Sequence, residues 1–153
     1  MTSAGALGRL VVVDASLAVK WVLNEAGSDA ALALLEEWVR AGVEMVAPPL
    51  LSYEVASVLH QRVRRGTLAP ADALALWDDF QTIPLSYQTN PGDLVGAAIA
   101  LAHRLGLPAA YDAAYLALAE AREAVLWTAD RKLGEHVAAS GHRSGSVEVL
   151  AYE

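Results

Sequence analysis

A chain of 153 residues is long enough to form one domain with a sizeable buried core, and 55% hydrophobic against 19% charged residues places it far from the disordered class. The lack of cysteine excludes disulfides, thiolate catalysis, iron–sulfur clusters and cysteine-ligated zinc together. A net charge of −7 argues against a simple nucleic-acid-binding module, whose affinity rests on Lys and Arg at phosphates. It argues less against a nuclease whose acids are offset by bound cations.

The first 13 residues carry no basic leader region and only a short apolar run, so neither a signal peptide nor export is expected, and the cytoplasm is the expected location. That run, Leu10-Val11-Val12-Val13, is continuous and rich in β-branched residues, which suits a strand buried on both faces of a parallel sheet. It ends at Asp14. Apolar residues then recur at helical spacing over 17–23 and over 28–41, with Ser28 placed to cap the second run. Residues 44–47 read as a second strand. Pro48-Pro49 then opens a helix whose buried stripe is Leu51, Val55, Val58, Leu59 and Val63, and which stops at Gly66.

A helix over 70–80 follows Pro70, then an extended piece at 83–85 and a turn at Asn90-Pro91-Gly92. Gly106-Leu107-Pro108 separates helices at about 93–105 and 112–122. The alanine-rich stretches at 94–102 and 113–119 are too short to span a bilayer. A strand over 124–127 ends at Thr128, with Asp130 just past it, and a last strand at 147–150 follows the loop 140–146. Strands alternating with helices predict a single α/β domain over 1–153, a three-layer α/β/α sandwich with a mostly parallel sheet. Ligands bind such sheets beyond the carboxyl ends of the strands, where this reading puts Asp14 and Asp130.

Four acids stand out. Asp14 leaves a strand end with Ser16 close behind it, and Glu54 sits beside the apolar stripe of its helix. Asp112 lies in a run otherwise apolar, where a first-turn acid also complements the helix dipole, and Asp130 also suits an N-cap. As a set they offer what a hard divalent cation takes: several carboxylate oxygens, no sulfur and no imidazole.

Four segments carry a resemblance. They are Val11-Val12-Val13-Asp14-Ala15-Ser16, Pro49-Leu50-Leu51-Ser52-Tyr53-Glu54-Val55-Ala56, Tyr111-Asp112-Ala113-Ala114-Tyr115-Leu116-Ala117-Leu118-Ala119, and Thr128-Ala129-Asp130. In this order and spacing, over residues 10–133, the chain resembles the PIN-domain family, especially the toxin ribonucleases of VapBC toxin–antitoxin pairs. The resemblance implies a PIN-like α/β/α sandwich, Mg²⁺ or Mn²⁺, and endonucleolytic cleavage of RNA by metal-activated water. It places Asp14, Glu54, Asp112 and Asp130 at the acidic positions and matches Ser16 and Thr128 to supporting hydroxyls; as a mechanistic hypothesis, Asp14, Asp112 and Asp130 hold the metal and Glu54 orients the water or binds a second ion. It further implies a homodimer and a cognate antitoxin that inserts an Arg among the acids, while the short alanine-rich stretches give the expectation of no membrane.

Arg62, Arg64, Arg65, Arg131 and Lys132 are candidates to grip flanking phosphates, or else form solvated basic ends. A phosphatase of the haloacid-dehalogenase type needs an acid where the chain has Ser16, and a phosphorylated receiver needs an acidic pair that residues 10–13 lack. His60, His103, His136 and His142 have no zinc spacing, and no Gly-rich phosphate loop ending in Lys-Ser or Lys-Thr is present. The remaining rival is a non-catalytic module in which the acids are caps and apolar surface serves oligomerisation, with Trp21, Trp38 and Trp77 in the core.

Overall fold

The computed structural model describes residues 10–88, 92–143 and 145–153. The expected turn residues Asn90 and Pro91, and the first nine residues of the expected leader-free start, lie outside them. Val11, Val12 and Val13 are all buried, and because neighbouring strand residues point to opposite faces, both faces of this first strand are covered. The strand, β1 (Leu10–Val13), is the centre of a five-stranded sheet with β2 (Glu44–Ala47), β3 (Leu85–Tyr87), β4 (Val125–Thr128) and β5 (Val147–Val149). The order is β3-β2-β1-β4-β5 and every described pairing is parallel. Val12 is paired to Val46 on one side and to Leu126 on the other.

Parallel neighbours need crossovers, and helices supply them. They are α1 (Ala15–Ala18), α2 (Ser28–Ala41), α3 (Leu50–Arg64), α4 (Pro70–Phe80), α5 (Gly92–Leu105), α6 (Ala110–Ala121) and α7 (Arg131–Ala139). The chain builds outward from β1 through β2 to β3, then returns to the other side of β1 for β4 and β5. The point where the direction reverses lies between β1 and β4, and a crevice opens at the carboxyl end of an open sheet at such a switch.

The expected α/β architecture and the four expected strands are present, and the extended piece leads into a fifth strand, with local differences that have physical causes. The 17–23 segment begins earlier, as α1, because the Asp14 side chain accepts from Leu17 N and starts a helix at Ala15; a 3₁₀ turn, Val19–Trp21, follows. Ser28 does not cap α2. Gly27 does, with φ +85°, and a Cβ there would meet the Tyr152 ring at 2.9 Å. The Ser28 hydroxyl instead donates to Leu23 O and accepts from Glu25 N. β3 starts at Leu85, two residues later than the extended reading, since Pro84 has no N–H to give the ladder.

Trp21 and Trp38 are core residues, meeting edge to face at 6.5 Å, and Trp127 adds a second such contact to Trp38 at 5.5 Å. Trp77 is only half-buried, stacked on Phe80. Gly134 lets α7 lie against β5, for a Cβ there would fall 2.4 Å from Val149 Cγ2. Among the described residues no single helix is long and apolar enough to cross a membrane.

Candidate active site

Asp14 follows the last residue of β1 and is only 4% exposed. Its Oδ1 accepts from Ser16 Oγ at 2.7 Å and from Leu17 N at 3.1 Å, and its Oδ2 accepts from Thr128 Oγ1 at the end of β4. The two hydroxyls are themselves 3.0 Å apart. Ser16 Oγ also accepts from Ala129 N, and Thr128 Oγ1 from Asp130 N, each at 3.0 Å. These side chains therefore sew the ends of two neighbouring strands together around one carboxylate. A carboxylate has about four acceptor sites, and three are used, which leaves one facing outward.

Asp130 caps α7, its Oδ1 accepting from Lys132 N at 3.0 Å and Leu133 N at 3.2 Å. The capping role and a place at the site coexist, since Oδ2 takes no part in the cap. Glu54 on α3 lies between buried Leu51 and Val55 in the helical pattern, and is half-buried. Its Oε1 accepts a hydrogen bond from Tyr115 Oη on α6. Asp112 sits in the first turn of α6, one turn before Tyr115. Four segments distant in sequence thus bring Asp14, Glu54, Asp112 and Asp130 to one cavity of about 580 Å³, lined also by Ser16, Tyr115, Tyr53 and Tyr111.

Burial and crowding act together on these acids. Burial foremost pushes Asp14 up to about 6, the charge of Asp112 adds to this, and the bonds from Thr128, Ser16 and Leu17 oppose it. Glu54 is raised by burial and by Asp112, against the Tyr115 bond, while Asp112 is raised by burial and then by Asp130. Tyr115 is pushed far above the ordinary phenol range, first by burial and then by Glu54, so it remains a donor.

Among the described residues no three His, Asp or Glu side chains converge at ligand spacing. A Mg²⁺-type ion does not need them to, because it commonly takes one or two carboxylates and keeps several waters. The residues fit such an ion in their chemistry: all donors are hard oxygens, one Asp14 acceptor site and Asp130 Oδ2 are free of the bonds above, and the mutual repulsion is what a cation relieves.

The expected basic grip is not gathered here. Arg62 is paired to Glu25, which also holds Lys20 Nζ at 3.1 Å. Arg131 donates to Tyr152 O at 2.8 Å and lies 5.4 Å from the centre of that ring. Arg64, Arg65 and Lys132 are exposed, and none of the cavity-lining residues is Lys or Arg. No histidine lines the cavity either. Sequence reasoning missed Tyr115 as the partner of Glu54. Its position one turn after Asp112 was the available signal, but only tertiary packing brings it to α3.

Residues 11–138 match the PIN domain family. The chain is 36% identical to Ribonuclease VapC3 of Pyrobaculum aerophilum over 130 residues, covering 82% of this chain and 92% of that protein. The crystal structure of PAE2754 from Pyrobaculum aerophilum superposes with a TM-score of 0.65 at 22% identity, over 94% of this chain and 92% of that one, and supports the fold. A family match over most of the chain, a close relative spanning nearly its whole length, and the same sheet architecture lead to one assignment: the chain belongs to the PIN-domain family, in its VapC-type ribonuclease branch.

Proposed function

We propose that the protein is a metal-dependent endoribonuclease that acts as the toxin of a toxin–antitoxin pair. The observation that carries this reading is the convergence of Asp14, Glu54, Asp112 and Asp130, from four separate segments, on one cavity at the carboxyl edge of the sheet. The ribonuclease name of the relative supports the reaction class.

Asp14, Asp112 and Asp130 are the residues to hold Mg²⁺ or Mn²⁺, which when bound supplies a Lewis acid for water activation and for charge on the scissile phosphate. The chain's own part is orientation. Ser16 and Thr128 fix the Asp14 carboxylate, and Tyr115 fixes Glu54, which orients the attacking water. Replacing Tyr115 with Phe removes one donor while keeping the ring. It should lower cleavage about tenfold, one hydrogen bond to a charged group being worth about 1.5–3 kcal/mol, and should raise the Glu54 titration further in carboxyl NMR of the metal-free protein. An unchanged Glu54 titration contradicts that role.

The acidic cavity equally suits an antitoxin Arg, as a bidentate partner for these carboxylates. A homodimer is proposed on the exposed apolar residues of the α3 and α4 surface, where Leu74 lies beside Trp77. We place the protein in the cytoplasm on its cysteine-free composition, and propose that its 153 residues form one domain on length.

The test is cleavage of total cellular RNA by the purified protein freed of any antitoxin, with Mg²⁺, with Mn²⁺ and with EDTA. Discrete fragments formed with metal and absent with EDTA are the expected result. Fragments that persist in EDTA remove the metal from the proposal, and no cleavage in any condition favours the non-catalytic module.

A further inference from the structure

Two residues beside the acids have no role so far. Tyr53 and Tyr111 each immediately precede a cavity acid, Glu54 on α3 and Asp112 on α6. Both line the same cavity, and yet they are 76% and 62% exposed. Large aromatic residues are seldom left so open, because each ring keeps a broad apolar face in water. Here two such rings come from two different helices to one acidic cavity.

The charge around them narrows what they can meet. A strand of RNA brings phosphates toward a site lined by four carboxylates and by no Lys or Arg, in a chain of net charge −7. Arg62 and Arg131 are engaged elsewhere, Arg64 stands ten residues along α3 from Glu54, about 15 Å at the helical rise, and exposed Lys132, though two residues from Asp130, does not line the cavity. Phosphate neutralisation by the chain therefore contributes little at the cavity. An aromatic face, by contrast, stacks on any nucleobase whatever the local charge. Only an unpaired base can offer its face to a side chain, since bases within a duplex are already stacked.

We propose that Tyr53 and Tyr111 are stacking platforms for unpaired bases of the RNA strand on either side of the phosphate held at the acids. This rests on the ribonuclease reading above and deepens it.

The experiment measures binding of labelled single-stranded RNA of random sequence, and of the matching duplex, to the Asp14→Asn protein by fluorescence anisotropy in Mg²⁺. The same substitutions in the otherwise unaltered protein are then assayed for KM and kcat. Tyr53→Ala and Tyr111→Ala should each weaken single-strand binding about tenfold and raise KM more than they lower kcat. Tyr→Phe at either position should keep binding, and Tyr→Leu, equally apolar but without a π face, should lose it. Affinity should fall only shallowly with salt, with a log–log slope of about −1 to −2.

Alanine variants that bind single strands as the parent does overturn the platforms even while cleavage stands. The platforms are equally overturned if Leu restores binding, or if the substitutions change only self-association or capture of a protein partner. A parent that neither binds nor cleaves RNA overturns the ribonuclease reading itself, and the platforms with it.

Discussion

Replacing Asp14 with Asn is expected to lower RNA cleavage about a thousandfold while leaving the protein folded. Asn has nearly the shape of Asp, so its Oδ1 can still accept from Leu17 N and Ser16 Oγ, and its amide can donate to Thr128 Oγ1. The lost element is the negative charge at the end of β1. The proposed metal role contributes several kcal/mol to the transition state, and about 4 kcal/mol corresponds to a thousandfold. The measurement is single-turnover cleavage beside circular dichroism on the same preparations. A variant within tenfold of the parent would show that Asp14 is a structural cap of α1 and nothing more.

The second large effect concerns stability in the absence of metal, and its sign is unusual. Asp14 rises from an ordinary value of 3.8 to about 6 in the folded protein. A group whose pKa is raised by folding contributes stability that is full below its unfolded value and is lost as pH climbs through its folded value. For Asp14 that window runs from about 4 to above 6, and the loss amounts to about 3 kcal/mol at 1.36 kcal/mol per pH unit. Glu54 and Asp112 are raised as well and act in the same direction.

About half of that loss is already complete at pH 5, so in EDTA the protein should melt about 3–6 °C higher near pH 5 than near pH 7.5, the reverse of ordinary acid denaturation. Mg²⁺ or Mn²⁺ should shrink the difference by favouring the ionised acids, and Asp14→Asn should flatten the profile without metal. Calorimetry at the two pH values, with and without metal, decides it. A melting temperature in EDTA that is flat or rises with pH would mean that the cavity tolerates its charges unaided.

What was legible in the sequence follows from how local each signal is. The valines of β1 announce a two-faced buried strand because burial on both sides leaves no place for a polar residue. The α3 stripe is similarly readable, as Leu51, Val55 and Leu59 all enter the core. Asp14 and Asp130 were placed correctly because a strand end needs only its own neighbours to be recognised. Ser28 was misassigned as a cap: the sequence shows a hydroxyl in the right place, but the choice of Gly27 depends on Tyr152 packing over it from the end of the chain. The Tyr115 bond to Glu54 joins residues 61 apart, which helical spacing does not reveal. Charge is no more local: the sequence leaves Arg62 open as a phosphate grip or a solvated end, and its pairing with Glu25, 37 residues away, appears only in the fold.

The carboxylate of Asp14 is secured by a hydroxyl 114 residues further along the chain. β1, made before β4, waits at the middle of the sheet for it, and contacts this distant in sequence are the slow ones to form. A nascent chain that has emerged through α6 already carries Asp14, Glu54 and Asp112, yet has neither the strand that closes β1 nor Thr128 and Asp130. Until β4 is made, the cavity lacks one of its four acids and the Asp14 carboxylate lacks its second hydroxyl anchor.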